Sequence, residues 1–298
     1  MIGVDWGTSS FRAFRLDAEG QVFGRRSAPR GILTVEDGRF AEELLRQTGD
    51  WIADGETRVL MAGMIGSRQG WREAPYLPCP AGPSDIARAL VEVPFDGAQI
   101  LLVPGLTHTD EAGTPEVMRG EETQLAGVLG ELGGGGTVCL PGSHSKWARI
   151  SAQRIAGFAT YLSGEAFAAL RGHTILGRMM RDGPTDAAAF DRGVARAGDP
   201  GHLLHHLFGV RTLGLFGTLG EDAGASYLSG LLIGHEVRAA LPAGAGAVHL
   251  VGAAALCALY ARAVNACGGT VVIHDEDAAA RGLARIGRHA PWTPATTI

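Results

Sequence analysis

Three short stretches concentrate the side chains able to handle phosphate. The first is Asp5-Trp6-Gly7-Thr8-Ser9-Ser10-Phe11-Arg12. A short apolar strand ends in one carboxylate, Asp5, and a turn at Gly7 leads through three hydroxyls to Arg12. Turn N–H groups and hydroxyls can face phosphate oxygens, and a lone carboxylate can hold a hydrated Mg²⁺. Asp5 is therefore the candidate metal ligand, with Gly7, Thr8 and Ser9 as phosphate contacts. Arg12 either neutralises phosphate charge or pairs with a carboxylate. The second stretch is Arg119-Gly120-Glu121-Glu122-Thr123-Gln124, where a glycine sets two acids in the first turn of a helix. Phosphoryl transfer to an alcohol needs a carboxylate to take the hydroxyl proton; acids at this place also complement a helix dipole. The third is Gly142-Ser143-His144-Ser145-Lys146-Trp147, which holds the sole lysine of the chain. Lys146 either reaches a phosphate as a point charge or begins the next strand. His144 suits a phosphate, a substrate carboxylate or a structural bond.

Two further segments offer binding rather than chemistry. The loop from Gly63 to Pro80 carries Met64, Ser67, Arg68, Gln69 and Trp71. It either presents hydroxyl, guanidinium, amide and ring to a small polyol acid, or packs on itself as an Ω-loop. The sequence Val251-Gly252-Ala253-Ala254 ends a strand at a helix start, where small side chains let a flat adenosine lie against backbone. Gly217-Thr218-Leu219-Gly220 either flanks that nucleotide or forms an ordinary turn.

The elements that must position these groups alternate in type. Strands are predicted at 2–5, 11–16, 21–26, 58–62 and 99–103, with helices at 40–52 and 84–91. Beyond about 116 the pattern gives a helix at 121–132 and a glycine connector at 133–136. Strands follow at 137–140, 148–151 and 154–158. Helices are predicted at 163–180, 186–196, 202–207 and 222–241. A strand at 248–251, a helix to about 265, a strand at 270–273 and a helix at 276–286 complete the chain. The opening plan of strand, glycine turn, strand, turn, strand thus occurs twice, which divides the chain into lobes at 1–115 and 116–298.

With 298 residues there is room for two α/β domains. Hydrophobic content of 46% and charged content of 19% exclude a disordered chain. A formal net charge of −5 gives no nucleic-acid footprint. Apolar runs stop short of a membrane span. The four cysteines form no C-x-x-C pair or zinc spacing, and reduced thiols fit a cytoplasmic protein. The chain begins inside its first strand, so no leader segment is expected.

The first turn resembles the phosphate motif of the actin, sugar-kinase and heat-shock-ATPase superfamily. That resemblance implies a two-lobe α/β fold of ribonuclease H type, with mixed sheets flanked by helices and an ATP cleft between lobes. It implies that Gly142, Ser143 and His144 also face the triphosphate, although Pro141 stands where many members carry an acid. Gly252 and Ala253 resemble its adenosine motif. In the glycerol- and gluconate-kinase branch a Gly-Asp pair supplies the base; Gly120-Glu121 aligns with it, with Glu122 as the alternative. The whole chain resembles the 2-dehydro-3-deoxygalactonokinase family. The stretches that carry the likeness are Gly3–Ser9, Gly63–Pro80, Arg119–Gln124, Leu140–Trp147, Ser163-Gly164-Glu165 and Ser226–Gly234. The family implies ATP- and Mg²⁺-dependent phosphorylation of 2-dehydro-3-deoxy-D-galactonate at its 6-hydroxyl, in galactonate catabolism. On this reading Asp5 holds the metal, Glu121 takes the proton, Lys146 stabilises the moving phosphoryl group and Arg68 meets the substrate carboxylate. The rival readings are a same-fold kinase for another sugar acid or amino sugar, and a non-catalytic ATP-switch sugar sensor. A homodimer is compatible with either.

Overall fold

The computed structural model describes residues 1–241, 244 and 246–293. The chain opens with a meander: β1 (Ile2–Trp6), β2 (Phe11–Leu16) and β3 (Val22–Ala28). Helix α1 (Phe40–Ala53) leads to β4 (Arg58–Ala62). There follow β5 (Tyr76–Pro78), α2 (Pro83–Arg88), β6 (Val91–Val93), β7 (Gln99–Leu102), β8 (Gly105–Thr109) and β9 (Pro115–Met118). Helix α3 (Glu121–Val128) then precedes a second meander of β10 (Gly135–Leu140), β11 (Ser145–Ser151) and β12 (Arg154–Tyr161). Four helices come next: α4 (Ser163–His173), α5 (Ala187–Arg196), α6 (Leu203–Leu215) and α7 (Gly224–Ala240). The chain closes with β13 (Val248–Leu250), α8 (Ala254–Ala266), β14 (Val271–Ile273) and α9 (Ala278–Gly287).

The duplicated plan is visible in the strand order. The first sheet runs β3-β2-β1-β4-β7-β6, and the second runs β12-β11-β10-β13-β14. In both, the meander supplies one half and strands parallel to its first member extend the other, with β6 closing the first sheet antiparallel to β7. Each parallel addition needs a crossover, which helices provide. Sheet one buries Ile2, Val4 and Trp6 from β1 against Phe11, Phe40, Leu44 and Trp51. Sheet two buries Cys139, Val248 and Leu250 against Phe190, Val237 and Tyr260. Burying a side chain of this size stabilises by roughly 1.5–3 kcal/mol.

The chain separates into two compact units, Met1–Gly135 with Arg149–Phe158 and Glu276–Ile298, and Gly136–Ala148 with Ala159–Asp275. The first unit therefore continues past residue 115 to include α3 and α9, so its limits differ from a single cut there. These two helices pack tightly: a Cβ on Gly282 would run into the Thr123 carbonyl, and one on Gly127 into that of Ala278.

Several boundaries differ from the periodicity reading. The helix expected at 84–91 stops at Arg88, and Val91–Val93 becomes an edge strand opposite Leu102–Ile100. A small sheet of β5, β8 and β9 was not expected, because its strands are only three to five residues long and include Pro78 and Pro115. The helix from 121 ends at Val128, followed by a 3₁₀ turn at Leu129–Glu131. Gly135 and Gly136 belong to β10 instead of a connector. The helix expected at 163–180 ends at His173, where Thr174 turns extended and Gly177 folds back onto the Arg171 carbonyl. The helix expected at 202–207 runs on to Leu215, its pattern masked by Gly209 and Gly214. Strand β11 begins at Ser145, so Ser145 and Lys146 lie on it.

Gly282→Val should force α9 away from α3 and cost about 1–3 kcal/mol or more by overpacking. Urea unfolding of the variant beside the wild type measures this loss; equal midpoints would contradict the close packing.

Candidate active site

In the first unit, two glycines bring the end of β1 to the start of α3. Gly63 follows β4 at φ +94°, and a Cβ there would stand 2.7 Å from the Trp6 carbonyl oxygen and 3.3 Å from Asp5 Oδ1. Gly120 precedes α3 at φ +109°, and its Cβ would stand 3.3 Å from the Gly63 Cα. L side chains rarely adopt such backbone angles, so glycine suits both places. Asp5, Gly63 and Gly120 consequently form one compact group.

Asp5 lies opposite Arg12 in the β1–β2 ladder, and Arg12 Nη2 binds Asp5 Oδ2. Of the two roles open to Arg12, the one observed is this carboxylate pair. The Gly7 turn is closed by Gly7 N–H to the Ser10 carbonyl at 2.9 Å. Ile32 N–H donates to the Gly7 carbonyl at 3.0 Å, and the Trp6 indole N–H donates to the Arg30 carbonyl at 2.8 Å. These bonds hold the backbone while Thr8, Ser9 and Ser10 stay exposed. Such a turn can present hydroxyls to phosphate. One carboxylate with an oxygen beside Gly63 also fits a Mg²⁺ that draws its other ligands from phosphate and water.

The two acids of α3 occupy different environments. Glu121 is half-buried, and its Oε2 accepts the Arg119 N–H at 3.0 Å. Glu122 is wholly buried; Oε2 accepts the Gly120 N–H at 2.7 Å, and Oε1 has no hydrogen-bond partner among the described residues. Burial, helped by the neighbouring Glu121 charge, pushes the Glu122 carboxyl up to about 8. Arg119 ties this corner to the loop that follows Gly63. Its Nη2 donates to the Ala74 carbonyl at 2.7 Å, and its guanidinium lies 4.5 Å from the centre of the Tyr76 ring.

Within that loop the candidates separate. Met64 and Ser67 are half-buried, while Arg68 and Gln69 are exposed. Arg68 pairs with Glu73 at 3.0 Å. The Trp71 ring turns inward, stacking on Phe40 at 6.4 Å with Phe95 edge-on at 6.1 Å. It packs the core more than it faces a ligand.

In the second unit, the Gly142 turn is pressed onto the start of α4. A Cβ on Gly164 would stand 2.7 Å from the Ser143 Cα, and Glu165 N–H donates to the Ser143 carbonyl at 3.0 Å. His144 Nε2 binds Glu165 Oε2. Lys146 is not part of the turn: it is buried on β11, and its Nζ donates to Thr160 Oγ1 at 3.1 Å. Gly252 adjoins the turn, since a Cβ there would stand 3.5 Å from the Pro141 carbonyl oxygen. Ala253 follows it, exposed, as the N-cap of α8. Beside the turn opens a cavity of about 440 Å³. Gly142, Ser143 and Gly164 form one end, and Phe167, Leu256, Leu259 and Tyr260 contribute walls. Thr218 is not among its lining residues; its hydroxyl caps the Leu213 carbonyl at 3.1 Å.

A family model described as 2-keto-3-deoxy-galactonokinase matches residues 5–286. The chain belongs to that family. It is 36% identical to the 2-dehydro-3-deoxygalactonokinase of Escherichia coli (strain K12), with 97% of each chain covered. It is 39% identical to a Rhizobium meliloti (strain 1021) protein assigned the same activity, covering 97% of this chain and 96% of that one. A Sinorhizobium meliloti crystal structure assigned to the same kinase superposes with a TM-score of 0.87 at 36% identity, covering 96% and 98%. The enzyme is thus a phosphotransferase with an alcohol acceptor, on the α/β fold shared by actin-like ATPases and sugar kinases. No helix among the described residues is long and apolar enough to cross a membrane.

Sequence reasoning gave no site role to Phe167, Leu256, Leu259 and Tyr260 of the cavity wall, or to the buried carboxylate bonded to Tyr260, Glu236. Its one visible signal was an acid closing the apolar run Leu231-Leu232-Ile233-Gly234-His235-Glu236-Val237.

The Glu122 environment sets a pH dependence with a defined sign. The folded protein keeps this proton to about pH 8, whereas the unfolded chain releases it near the ordinary carboxyl value. Wild-type stability therefore falls as pH rises through that window, by up to a few kcal/mol. Urea unfolding at pH 5, 6, 7 and 8 should show Glu122→Gln gaining stability relative to wild type as pH rises. Parallel profiles would show that Glu122 is not held neutral.

Proposed function

We propose that this kinase transfers the γ-phosphoryl group of ATP to the 6-hydroxyl of 2-dehydro-3-deoxy-D-galactonate, releasing ADP and the 6-phosphate. The observation that carries the reading is the seating of Glu121 at the start of α3, brought to the Asp5 strand end through Gly63 and Gly120. The names of the full-length relatives support the substrate.

Glu121 takes the proton of the attacking hydroxyl. It is favoured over Glu122 because Glu122 is wholly buried and stays protonated at neutral pH. The Arg119 N–H fixes the orientation of the Glu121 carboxylate, which limits the freedom lost on reaching the transition state. Thr8, Ser9 and the Gly7 turn are the candidate phosphate contacts of the first unit. Gly142, Ser143 and His144 are those of the second. Asp5 is the residue that would hold Mg²⁺, which when bound offsets the negative charge of the phosphates. The bond from Lys146 to Thr160 favours a structural part for that lysine, leaving turn N–H groups to meet the phosphates.

The cavity beside the Gly142 turn takes the nucleoside. Its volume falls within the usual range for ligand pockets, and its apolar walls suit a purine face. Met64, Ser67 and Gln69 remain candidates for sugar-acid contacts. Arg68 would have to exchange Glu73 for the substrate carboxylate.

Coupled ADP release with Mg-ATP and the sugar acid tests the assignment. Wild type should turn over the galactonate derivative, and Glu121→Ala should lower kcat by about 10²–10⁴-fold. A kcat within threefold of wild type would remove Glu121 as the base. ADP release that does not depend on the sugar acid would overturn the kinase reading.

A further inference from the structure

Beneath the cavity lies a connected set of buried polar side chains centred on Glu236 of α7. Glu236 is 3% exposed. Its Oε1 accepts the Trp147 indole N–H at 2.8 Å, and its Oε2 accepts the Tyr260 hydroxyl at 2.8 Å. The Ser163 side chain stands close enough to contribute to its polar surroundings. Tyr260 in turn meets the Ser145 hydroxyl at 2.6 Å. One carboxylate thereby links β11 to the middle of α8, with the first residue of α4 beside it.

Tyr260 and the neighbouring Ser163 line the cavity, whereas Glu236 and Trp147 do not. Two serines of this cluster bracket the Gly142 turn. Ser145 follows it on β11, and Ser163 precedes Gly164, whose missing Cβ lets α4 approach Ser143. A buried carboxylate is costly unless donors satisfy it. Glu236 has one on each oxygen, Trp147 from β11 and Tyr260 from α8, so its hydrogen-bonding capacity ties those two elements together.

We infer that Glu236 is a positioning residue for the nucleotide: through Trp147 and through Tyr260 with its partner Ser145 it sets the shape of the cavity and the placement of the Gly142–Ser143 turn. This rests on the reading of the cavity as the nucleoside site. Glutamine at this position is similar in size but replaces one accepting oxygen with a donating NH₂. It cannot accept from Trp147 and Tyr260 through separate oxygens. The Trp147→Phe variant removes one donor without altering any residue of the cavity wall.

The test measures KM for ATP, KM for the sugar acid, kcat and ADP binding by calorimetry for both variants. Thermal unfolding confirms that each is folded. Glu236→Gln should raise KM for ATP and the ADP dissociation constant at least fivefold, with KM for the sugar acid within twofold. Trp147→Phe should shift the same two quantities in the same direction by a smaller factor. The double variant should be no weaker than Glu236→Gln alone, because both changes act through one carboxylate. Unchanged nucleotide affinity in folded variants, or equal changes in both KM values, would overturn the inference. Ala225→Trp, which fills the cavity, separates the two failures. If it abolishes ADP binding while Glu236→Gln leaves binding intact, the inference alone fails. If ADP binds Ala225→Trp as it binds wild type, the nucleoside reading fails and the inference with it.

Discussion

The close approach of Gly120 to Gly63 is the constraint on which the first unit's site depends. Both glycines adopt positive φ, and neither has a Cβ to hold the chains apart. Their contact places the start of α3 against the turn after β4, and that turn against the end of β1. Asp5, Glu121 and the loop from Met64 to Pro80 are thereby fixed by backbone instead of by long, mobile side chains. Arg119 reinforces the arrangement from both ends, giving its N–H to Glu121 and its guanidinium to Ala74. Tight α3–α9 packing keeps the helix from relaxing away.

The second unit repeats the strand order but secures its turn by other means. In the first unit, backbone bonds from Ile32 and Ser10 frame the Gly7 turn, and the hydroxyls remain exposed. In the second, the Gly142 turn is clamped by α4 from one side, and Glu236 joins the flanking strand and helices below. The two buried glutamates therefore contrast. Glu236 gathers donors on both oxygens, whereas Glu122 has one oxygen without a partner among the described residues. A half-satisfied buried acid is costly, and burial keeps the Glu122 carboxyl protonated to about pH 8 beside Glu121.

Much of the fold was legible because apolar period and turn chemistry are local signals. The strands of both meanders, α1, α7 and α8 follow directly from them. So do Asp5 at a strand end and the acids after Gly120. What escaped depends on contacts between distant residues. Trp147 and Glu236 are 89 positions apart. Trp71 reads as a ligand-facing ring until Phe40 and Phe95 enclose it. Lys146 reads as part of a turn because no local signal marks where β11 begins, and its partner Thr160 lies on the next strand. The sheet of β5, β8 and β9 is too short to show a period. Family resemblance supplied the substrate, which no spacing in the chain encodes.

The most direct test of the account is the activity of Gly120→Ala. A methyl group at φ +109° strains the backbone and presses toward Gly63, so α3 must shift relative to Asp5. The account predicts a folded protein, judged by circular dichroism and a cooperative melt, whose sugar-acid-dependent ADP release falls at least a hundredfold. A folded variant with wild-type turnover would contradict it, because the acids of α3 would then not need the glycine contact to do their work.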